Sequence, residues 1–231
     1  MYDRLTIGTS ISDIEKRFEA KMEESFTATY NAAPSQKLPV ITTEKPSTIQ
    51  LFYWGIIPTL SNNKAVSPRL INLPAETALS KPMYKKALKS NRCLILSDGF
   101  YGWKQVSKKQ KTPYFISPSD GIPFAIAGLW EEYEDFEGRV SKTFNMITQP
   151  ASEPLDSIQH DSPLLLNKQS SDIWLSNDSN EDNIRTILEK YHHFTLNYHP
   201  VSPLINNLKI YDQRLIEPTQ PSDQHGNYTL F

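Results

Sequence analysis

The stretch N-R-C-L-I-L-S-D-G-F-Y-G-W-K, residues 91–104, combines an apolar run, an Asp-Gly pair and clustered aromatic side chains. The apolar run predicts a buried strand, and the Asp-Gly pair predicts a turn. A strand that passes through a glycine turn into aromatics can deliver side chains to a pocket. There Trp103, like Trp54 in an earlier strand, could stack on an unpaired base of a nucleic acid. The alternative for both rings is a place in the core, because aromatic side chains carry large apolar area.

Basic side chains flank this stretch and form the most positive part of the chain: Lys85, Lys86, Lys89, Arg92 and the lysines of residues 104–111. Lysines that contact phosphates release condensed counterions, and this release drives much of the affinity of proteins for nucleic acids. The formal net charge is only −2, so no global positive field indicates a nucleic-acid partner. A local basic groove is compatible with that balance.

Thiol and imidazole groups offer little further chemistry. Cys93 is the only cysteine, which excludes an internal disulfide and a multi-cysteine zinc site. Its apolar neighbours predict an inert core thiol, since burial raises the pKa of a thiol. His192, His193 and His199 follow a predicted helix, but their spacing matches no standard metal site and favours surface histidines. We therefore expect no metal and no other cofactor.

The bulk properties bound the class of protein. A chain of 231 residues accommodates one large domain or two small ones, and it can bury a core without disulfide or metal support. It contains no apolar run long enough to cross a bilayer. Residues 1–4, M-Y-D-R, open no apolar segment typical of a signal peptide, so we expect a cytoplasmic protein without membrane association.

Many short elements must position these residues. Helical spacing predicts helices over 12–21, 80–90 and 180–191, the first with a capping box formed by Ser12 and Glu15. β-Branched and aromatic runs predict strands over 50–57, 92–96, 142–148 and 194–198, and a hairpin of 113–117 with 123–129 around 119–121. No repeat or linker divides the chain. We expect one α+β domain over 1–218, followed by a polar tail over 219–231 that frays.

The order of the motifs resembles that of the SRAP family, the SOS-response-associated peptidases or abasic-site processing proteins. Eight segments carry the resemblance: Y-N-A-A-P-S-Q at 30–36, W-G-I-I-P at 54–58, N-L-P-A-E-T at 72–77, R-C-L-I-L-S-D-G-F-Y-G-W-K at 92–104, P-F-A-I-A-G-L-W at 123–130, T-F-N-M-I-T-Q-P-A at 143–151, V-S-P-L-I-N at 201–206 and L-I-E-P at 215–218. They follow one another in the family's order from Arg4 to Pro218. The resemblance implies a single domain with a mixed, strongly curved β-sheet or barrel core flanked by helices.

The resemblance also implies a function. SRAP proteins bind single-stranded DNA at abasic sites. A cysteine after the initiator methionine captures the ring-opened sugar aldehyde with its amine and thiol, and the product is a stable thiazolidine crosslink. A Glu, an Asn and a His surround that cysteine. By position, the resemblance assigns DNA contacts to Arg4, Asn31, Pro34, Trp54 and Asn72 and catalytic roles to Asn72 and His160, in a protein expected to be a monomer.

The chain departs from the family at the residues that carry the chemistry. Tyr2 stands in the place of the cysteine and has no thiol to close a thiazolidine. Gly102 replaces the glutamate of F-Y-E-W, and glycine cannot act as an acid or base. Pro74 replaces an arginine that could clamp a phosphate. An alignment without a gap puts Gln159 in the histidine position, whereas a slip of one residue restores His160.

These losses cluster in one pocket while the scaffold motifs remain, which is typical of a pseudoenzyme or of a paralogue with a changed use. Three functions stay open. The chain could be a crosslinking enzyme, a non-catalytic binder of single-stranded DNA, or a protein-interaction module that no longer binds DNA. Tyr2 argues against the first, and the lysines allow the second. The near-neutral charge and Pro74 favour the third. If the motifs meet in one cleft, Arg4 lies near Asn72 and near a turn at Gly102.

Overall fold

The structure, a computed structural model, describes residues 3–55, 71–134, 138–190 and 194–228. The strands of the described part are β1 Leu5–Ile7, β2 Lys21–Met22, β3 Thr29–Ala32, β4 Lys37–Thr42, β5 Thr48–Trp54, β6 Asn72–Pro74, β7 Arg92–Ser97, β8 Gly99–Gln105, β9 Lys111–Pro118, β10 Phe124–Glu134, β11 Val140–Pro150, β12 Asp161–Pro163, β13 Leu165–Leu166 and β14 Leu196–Pro200. Its α-helices are α1 Ile11–Phe18, α2 Ala75–Ser80, α3 Lys85–Ser90, α4 Lys168–Leu175 and α5 Glu181–Glu189. Short 3₁₀ helices cover Pro82–Tyr84, Leu155–Ser157, Pro203–Asn206 and Gln213–Ile216.

Five strands of the larger sheet close on themselves. β4 pairs with β7, β7 with β10, β10 with β11, β11 with β5, and β5 with β4, and only the β11–β5 pairing is parallel. The ring of pairings makes a barrel, so the expected α+β fold with a strongly curved sheet and barrel core is confirmed. All six residues of β7 are buried. This explains why its apolar run does not alternate with polar residues, as it would if one face met water.

The second sheet is open and antiparallel, with the order β14-β9-β8-β1-β3. The chain passes from the barrel into this sheet at Asp98, between β7 and β8. The Asp98 carboxylate accepts hydrogen bonds from the Thr6 hydroxyl at 2.5 Å, the Gly8 amide at 2.7 Å and the Thr9 amide at 2.7 Å. The Thr9 hydroxyl also donates to it, at 2.9 Å. The predicted turn residue therefore also fixes β1 and the start of α1 against the junction of the two sheets.

Arg92 joins the helices to the barrel and is not part of the basic surface. It is 1 % exposed. Its guanidinium donates to the carbonyl oxygens of Leu88, Lys89, Trp174 and Ser176, each at 2.6 Å. These carbonyls lie at or just after the ends of α3 and α4, where a helix lacks acceptor partners of its own. Burial lowers the pKa of Arg92 from its usual value.

Several element boundaries differ from the sequence prediction. The hairpin of 113–117 with 123–129 is wrong, because β9 lies in the open sheet while β10 lies in the barrel. The first helix is capped by Ser10, whose hydroxyl accepts from the Asp13 amide, and not by Ser12. The Glu15 side chain does not bond to the start of the helix as a capping box would require; it accepts a hydrogen bond from the Met22 amide instead. The helix predicted over 80–90 is instead a 3₁₀ turn over Pro82–Tyr84 followed by α3, and α2 ends at Ser80.

The expectation that the tail after Pro218 frays is wrong for residues 219–228. Asp223 is fully buried, and Ser222 forms a bridge with Tyr228. The helices in the described part of the chain are all too short or too polar to span a membrane.

We predict that Asp98→Ala destabilises the protein by about 2 kcal/mol, because four donors lose a carboxylate acceptor at a half-buried site where water replaces it only in part. For a chain of this length the unfolding temperature would fall by roughly 4–8 °C. Denaturant and thermal unfolding measure both quantities. Asp178→Ala, which removes the same charge from an exposed turn, serves as the control and should change stability by less than about 0.5 kcal/mol. Equal stability of the two variants would contradict the role assigned to Asp98.

Candidate functional site

A cleft of about 860 Å³ opens where the start of the described chain, β8 and the segment before β12 meet. Its lining residues come from five separate parts of the sequence: Asp3, Arg4, Trp103, Gln105, Lys108, Lys109, Lys111, Asp156, Ser157, Ile158, Gln159, His160, Asn206 and Gln224. The cleft collects several of the motifs that the sequence singled out, so we take it as the candidate site.

Pairing of β1 with β8 positions the N-terminal wall. Leu5 lies opposite Phe100, and the Tyr101 amide donates to the Arg4 carbonyl at 3.2 Å. Continued by two residues, this register places Arg4 opposite Tyr101 and Asp3 opposite Gly102. Arg4 and Gly102 are therefore neighbours, as expected, although Gly102 lies within β8 and not in a turn. Tyr2, which stands in the family's cysteine position, lies outside the described residues.

Gln159 forms the opposite wall and contacts β8 directly. Its side-chain Oε1 accepts a hydrogen bond from the Trp103 amide at 3.2 Å. Its Nε2 is buried and has no hydrogen-bond partner among the described residues. His160 also lines the cleft, but it is exposed, and its carbonyl accepts from the Ala151 amide at 2.8 Å. Of the two alternatives for the histidine position, the one that touches the strand of Gly102 is thus a neutral amide.

Positive charge dominates one rim of the cleft. Lys108, Lys109 and Lys111 are exposed on the β8–β9 connection and the first residue of β9. Deeper in, Arg4 pairs with the Asp3 carboxylate at 3.3 Å, and its Nε is buried without a hydrogen-bond partner in the described part of the chain. Burial raises the pKa of Asp3, and the positive charge of Arg4 offsets this only in part. Unsatisfied donors beside lysines suit an anionic ligand that brings its own acceptors.

The structure places the two tryptophans differently: Trp54 lies in the core, and Trp103 lines the cleft. Trp54 is fully buried, its indole nitrogen donates to the Ile71 carbonyl at 3.0 Å, and its ring stacks on Phe144 with centroids 6.3 Å apart. Among the described residues Trp54 is covered on both faces, which favours the core alternative, and its contact with DNA stays a prediction. Trp103 is half-buried and lines the cleft, which makes it the ring available to a base.

The remaining predicted residues, Asn31, Pro34 and Asn72, do not line the cleft and differ in burial. Asn31 is 1 % exposed, and its amide donates to the carbonyls of Ile205, Asn207 and Ile210. It therefore holds the segment that carries Asn206 to the cleft. Pro34 is half-buried in the turn between β3 and β4. Asn72 begins β6 opposite Met146 and is 8 % exposed. Contacts of these three residues with DNA, and the nearness of Asn72 to Arg4, stay predictions.

Sequence reasoning missed several residues of the cleft. Asn206 lies inside a segment that carries the family resemblance, and Asp3 directly precedes Arg4, so the proximity of both to the site could have been inferred. Lys108, Lys109 and Lys111 belong to the basic region already noted. Gln224 gave no signal at all, because a glutamine in a polar tail looks like any solvated residue.

The thiol behaves as the sequence predicted, whereas His199, expected at the surface, is half-buried. Cys93 is fully buried, and desolvation raises the pKa of its thiol far above the usual value. The His199 ring nitrogen Nε2 lies 2.7 Å from the Ile216 carbonyl. His192 and His193 lie outside the described residues. Within the described ranges, no three His, Cys, Asp or Glu side chains gather to hold a metal ion.

Comparison with known proteins gives the same assignment over most of the chain. The family model described as SOS response associated peptidase (SRAP) matches residues 1–208. The abasic site processing protein YoqW of Bacillus subtilis is 31 % identical over 222 residues, which cover 94 % of this chain and 99 % of YoqW. YobE from the same organism, also named an abasic site processing protein, is 31 % identical over 212 residues, covering 90 % and 97 %.

A solved structure supports the fold. The crystal structure of a Bacteroides thetaiotaomicron protein, structural-genomics target BtR8, superposes with a TM-score of 0.79 over 94 % of this chain and 99 % of that one, at 20 % identity. The motif order, the barrel and the family match agree, and the chain belongs to the SRAP family of abasic site processing proteins.

Proposed function

We propose that this protein binds single-stranded DNA at abasic sites in the cleft and releases it again without forming a stable covalent crosslink. The observation that supports it is the composition of the cleft. Lysines and Arg4 line it as in a site for a phosphate backbone. Gly102 stands where the family resemblance implies a glutamate, and Gln159, one of the two residues that fit the family's histidine position, is the one in contact with β8. We further propose that the protein acts as a monomer in the cytoplasm.

The proposed binding of DNA rests on the positive charge and the solvent exposure of the rim lysines. The three lysines of the rim are exposed, so their ammonium groups are available to phosphates. Each phosphate contact made by a lysine releases condensed counterions, which gives affinity without sequence preference. Trp103 lies below this rim and offers an aromatic surface to a base beside the abasic gap. Stacking of one base on an aromatic ring contributes about 1–3 kcal/mol.

The proposed lack of a stable crosslink follows from the side chains of Tyr2, Gly102 and Gln159. A thiazolidine needs an amine and a thiol on adjacent carbons of one residue, and Tyr2 supplies a phenol whose reference pKa is about 10. An amine can still add to an aldehyde and lose water, but without a thiol on the adjacent carbon the resulting imine closes no ring and hydrolyses back. Gly102 and Gln159 carry no group that titrates, so neither can move the protons of that reaction.

A protein-interaction module is the second candidate, and an apolar patch favours it. Leu204, Leu208 and Tyr211 are 52 %, 51 % and 58 % exposed on the segment that also brings Asn206 to the cleft. Exposed apolar residues grouped on one segment are a feature of protein-binding surfaces. Under this alternative the chain binds no DNA at low salt.

We predict that affinity for single-stranded DNA falls as salt rises, because binding releases counterions from the phosphates. In Lys108→Gln/Lys109→Gln the slope of log affinity against log salt should shrink by about 1.4, which corresponds to two lost phosphate contacts on a single strand. Fluorescence anisotropy with a labelled oligonucleotide at several salt concentrations measures the slope. Lys85→Gln/Lys86→Gln, an equal loss of charge on α3, is the control and should leave the slope near that of the wild type. Identical slopes for both double variants would rule out the cleft as the binding site.

We predict that the unaltered protein forms no heat-stable adduct with abasic single-stranded DNA, because Tyr2 has no thiol. Tyr2→Cys should give slow crosslinking at most, and Tyr2→Cys with Gly102→Glu should crosslink faster, since groups that act as one unit are not recovered one at a time. A denaturing gel without borohydride separates free from crosslinked DNA. Tyr2→Ser, which removes the phenol without adding a thiol, is the matched control. A shifted, heat-stable band from the unaltered chain would show that another residue supplies the nucleophile.

A further inference from the structure

We infer that the C-terminal residues 222–228, here called the clasp, are part of the DNA-binding cleft: they hold the lysine-bearing loop 107–111 in place and supply Gln224 to the wall. The clasp lies beyond the residues that the family model matches, which end at 208. The inference deepens the proposed function, because the loop matters for binding only if the cleft binds DNA.

The clasp is a folded turn built around one carboxylate. Asp223 is 0 % exposed and accepts hydrogen bonds from the amides of His225 and Asn227 at 2.9 Å each and from the Asn227 side chain at 3.1 Å. The turn closes at Gly226, whose φ of +87° is a conformation that residues with a side chain rarely adopt. The clasp therefore has a fixed shape of its own.

Three hydrogen bonds join the clasp to the loop across more than a hundred residues of sequence. The Gln110 side chain donates to the Asp223 carboxylate at 3.0 Å. The Lys111 amide donates to the Gln224 side-chain oxygen at 2.7 Å, and the Gln224 side-chain nitrogen donates to the Lys109 carbonyl at 2.6 Å. Gln224 thus satisfies one donor and one acceptor of the loop backbone, and it lines the cleft itself.

Fixing this loop matters because it carries the rim lysines. Within the loop, the Val106 amide donates to the Gln110 carbonyl at 2.9 Å, but the side chains of Lys108 and Lys109 are exposed and receive no packing support from a core. An exposed loop that lacks outside anchors samples many conformations. Binding would then have to order the loop, and that cost would be subtracted from the affinity. The clasp orders the loop in advance.

The Asp223 carboxylate remains ionised at neutral pH. Burial by itself would raise its pKa, but the hydrogen bonds from Asn227, His225 and Gln110 outweigh burial and hold the pKa at about 2. A lone negative charge near a DNA site would by itself weaken binding. Removing it should therefore strengthen binding if charge alone mattered and weaken binding if the clasp positions the lysines, so the two explanations predict opposite signs.

The test uses the full chain with Asp223→Ala and, as a milder change, Gln224→Ala. Two measurements are made on each: the rate of trypsin cleavage after Lys108 and Lys109 without DNA, and the affinity for abasic single-stranded DNA at fixed salt. Both variants should be cleaved about tenfold faster in the loop and should bind about tenfold more weakly. Asp178→Ala controls for the loss of a negative charge, and Tyr228→Ala, whose side chain is 76 % exposed, controls for a change within the clasp. Both controls should resemble the wild type.

The two measurements separate failure of this inference from failure of the proposed function. If the wild type binds no DNA, the proposed function fails, and the clasp loses its role in binding with it. If the wild type binds, faster cleavage with unchanged affinity shows that the clasp is merely structural. Weaker binding with unchanged cleavage shows that Asp223 acts other than by holding the loop. Either result overturns the inference.

Discussion

The hydrogen bonds that converge on the Asp98 carboxylate fix the relation between the two sheets. This one side chain stands where the chain leaves the barrel, and its donors come from the beginning of the sequence. It therefore ties β1 to β8, and this pairing carries Asp3 and Arg4 to the cleft. Without this carboxylate, the N-terminal wall of the cleft would rest on the pairing of the three-residue β1 with β8 and β3 and on the hydrogen bond from the Ser97 hydroxyl to the Thr6 carbonyl.

Different interactions hold the walls of the cleft and its lysine rim. The walls made by Arg4, Trp103 and Gln159 rest on the pairing of β1 with β8 and on the hydrogen bond from the Trp103 amide to the Gln159 side chain, within the residues that the family model matches. The lysine rim rests on contacts with a segment outside the family match. Such a division lets a scaffold keep its fold while its binding properties change, because the two sets of interactions share few residues. Gly102 and Gln159 lie in the walls and not on the rim, where the Trp103 amide next to Gly102 donates to the Gln159 side chain.

Much of the fold could be predicted from the sequence, and the failures have identifiable causes. The buried strand predicted over 92–96 is confirmed as β7, because a continuous apolar run indicates burial on both faces. The hairpin around 119–121 failed because turn residues mark a reversal of the chain but do not say whether the strands on either side share a sheet. The cap at Ser10 was missed because serines at 10 and 12 both fit, and only the geometry of the Asp13 amide distinguishes them.

In the site, Arg4 beside Gly102 was predictable from motif order. The burial of Trp54 was not, since periodicity gives the face of a strand and not what covers it. The contacts of Gln224 join positions more than a hundred residues apart and leave no local pattern.

The burial of Cys93 has a practical consequence for the whole molecule. Its sulfur sits in the wall of the barrel, on the strand that pairs with both β4 and β10, and it is the only thiol in the chain. A reagent that modifies thiols can reach it only when these pairings open. The rate of labelling therefore reports how often the barrel opens, at a single position and without an engineered probe.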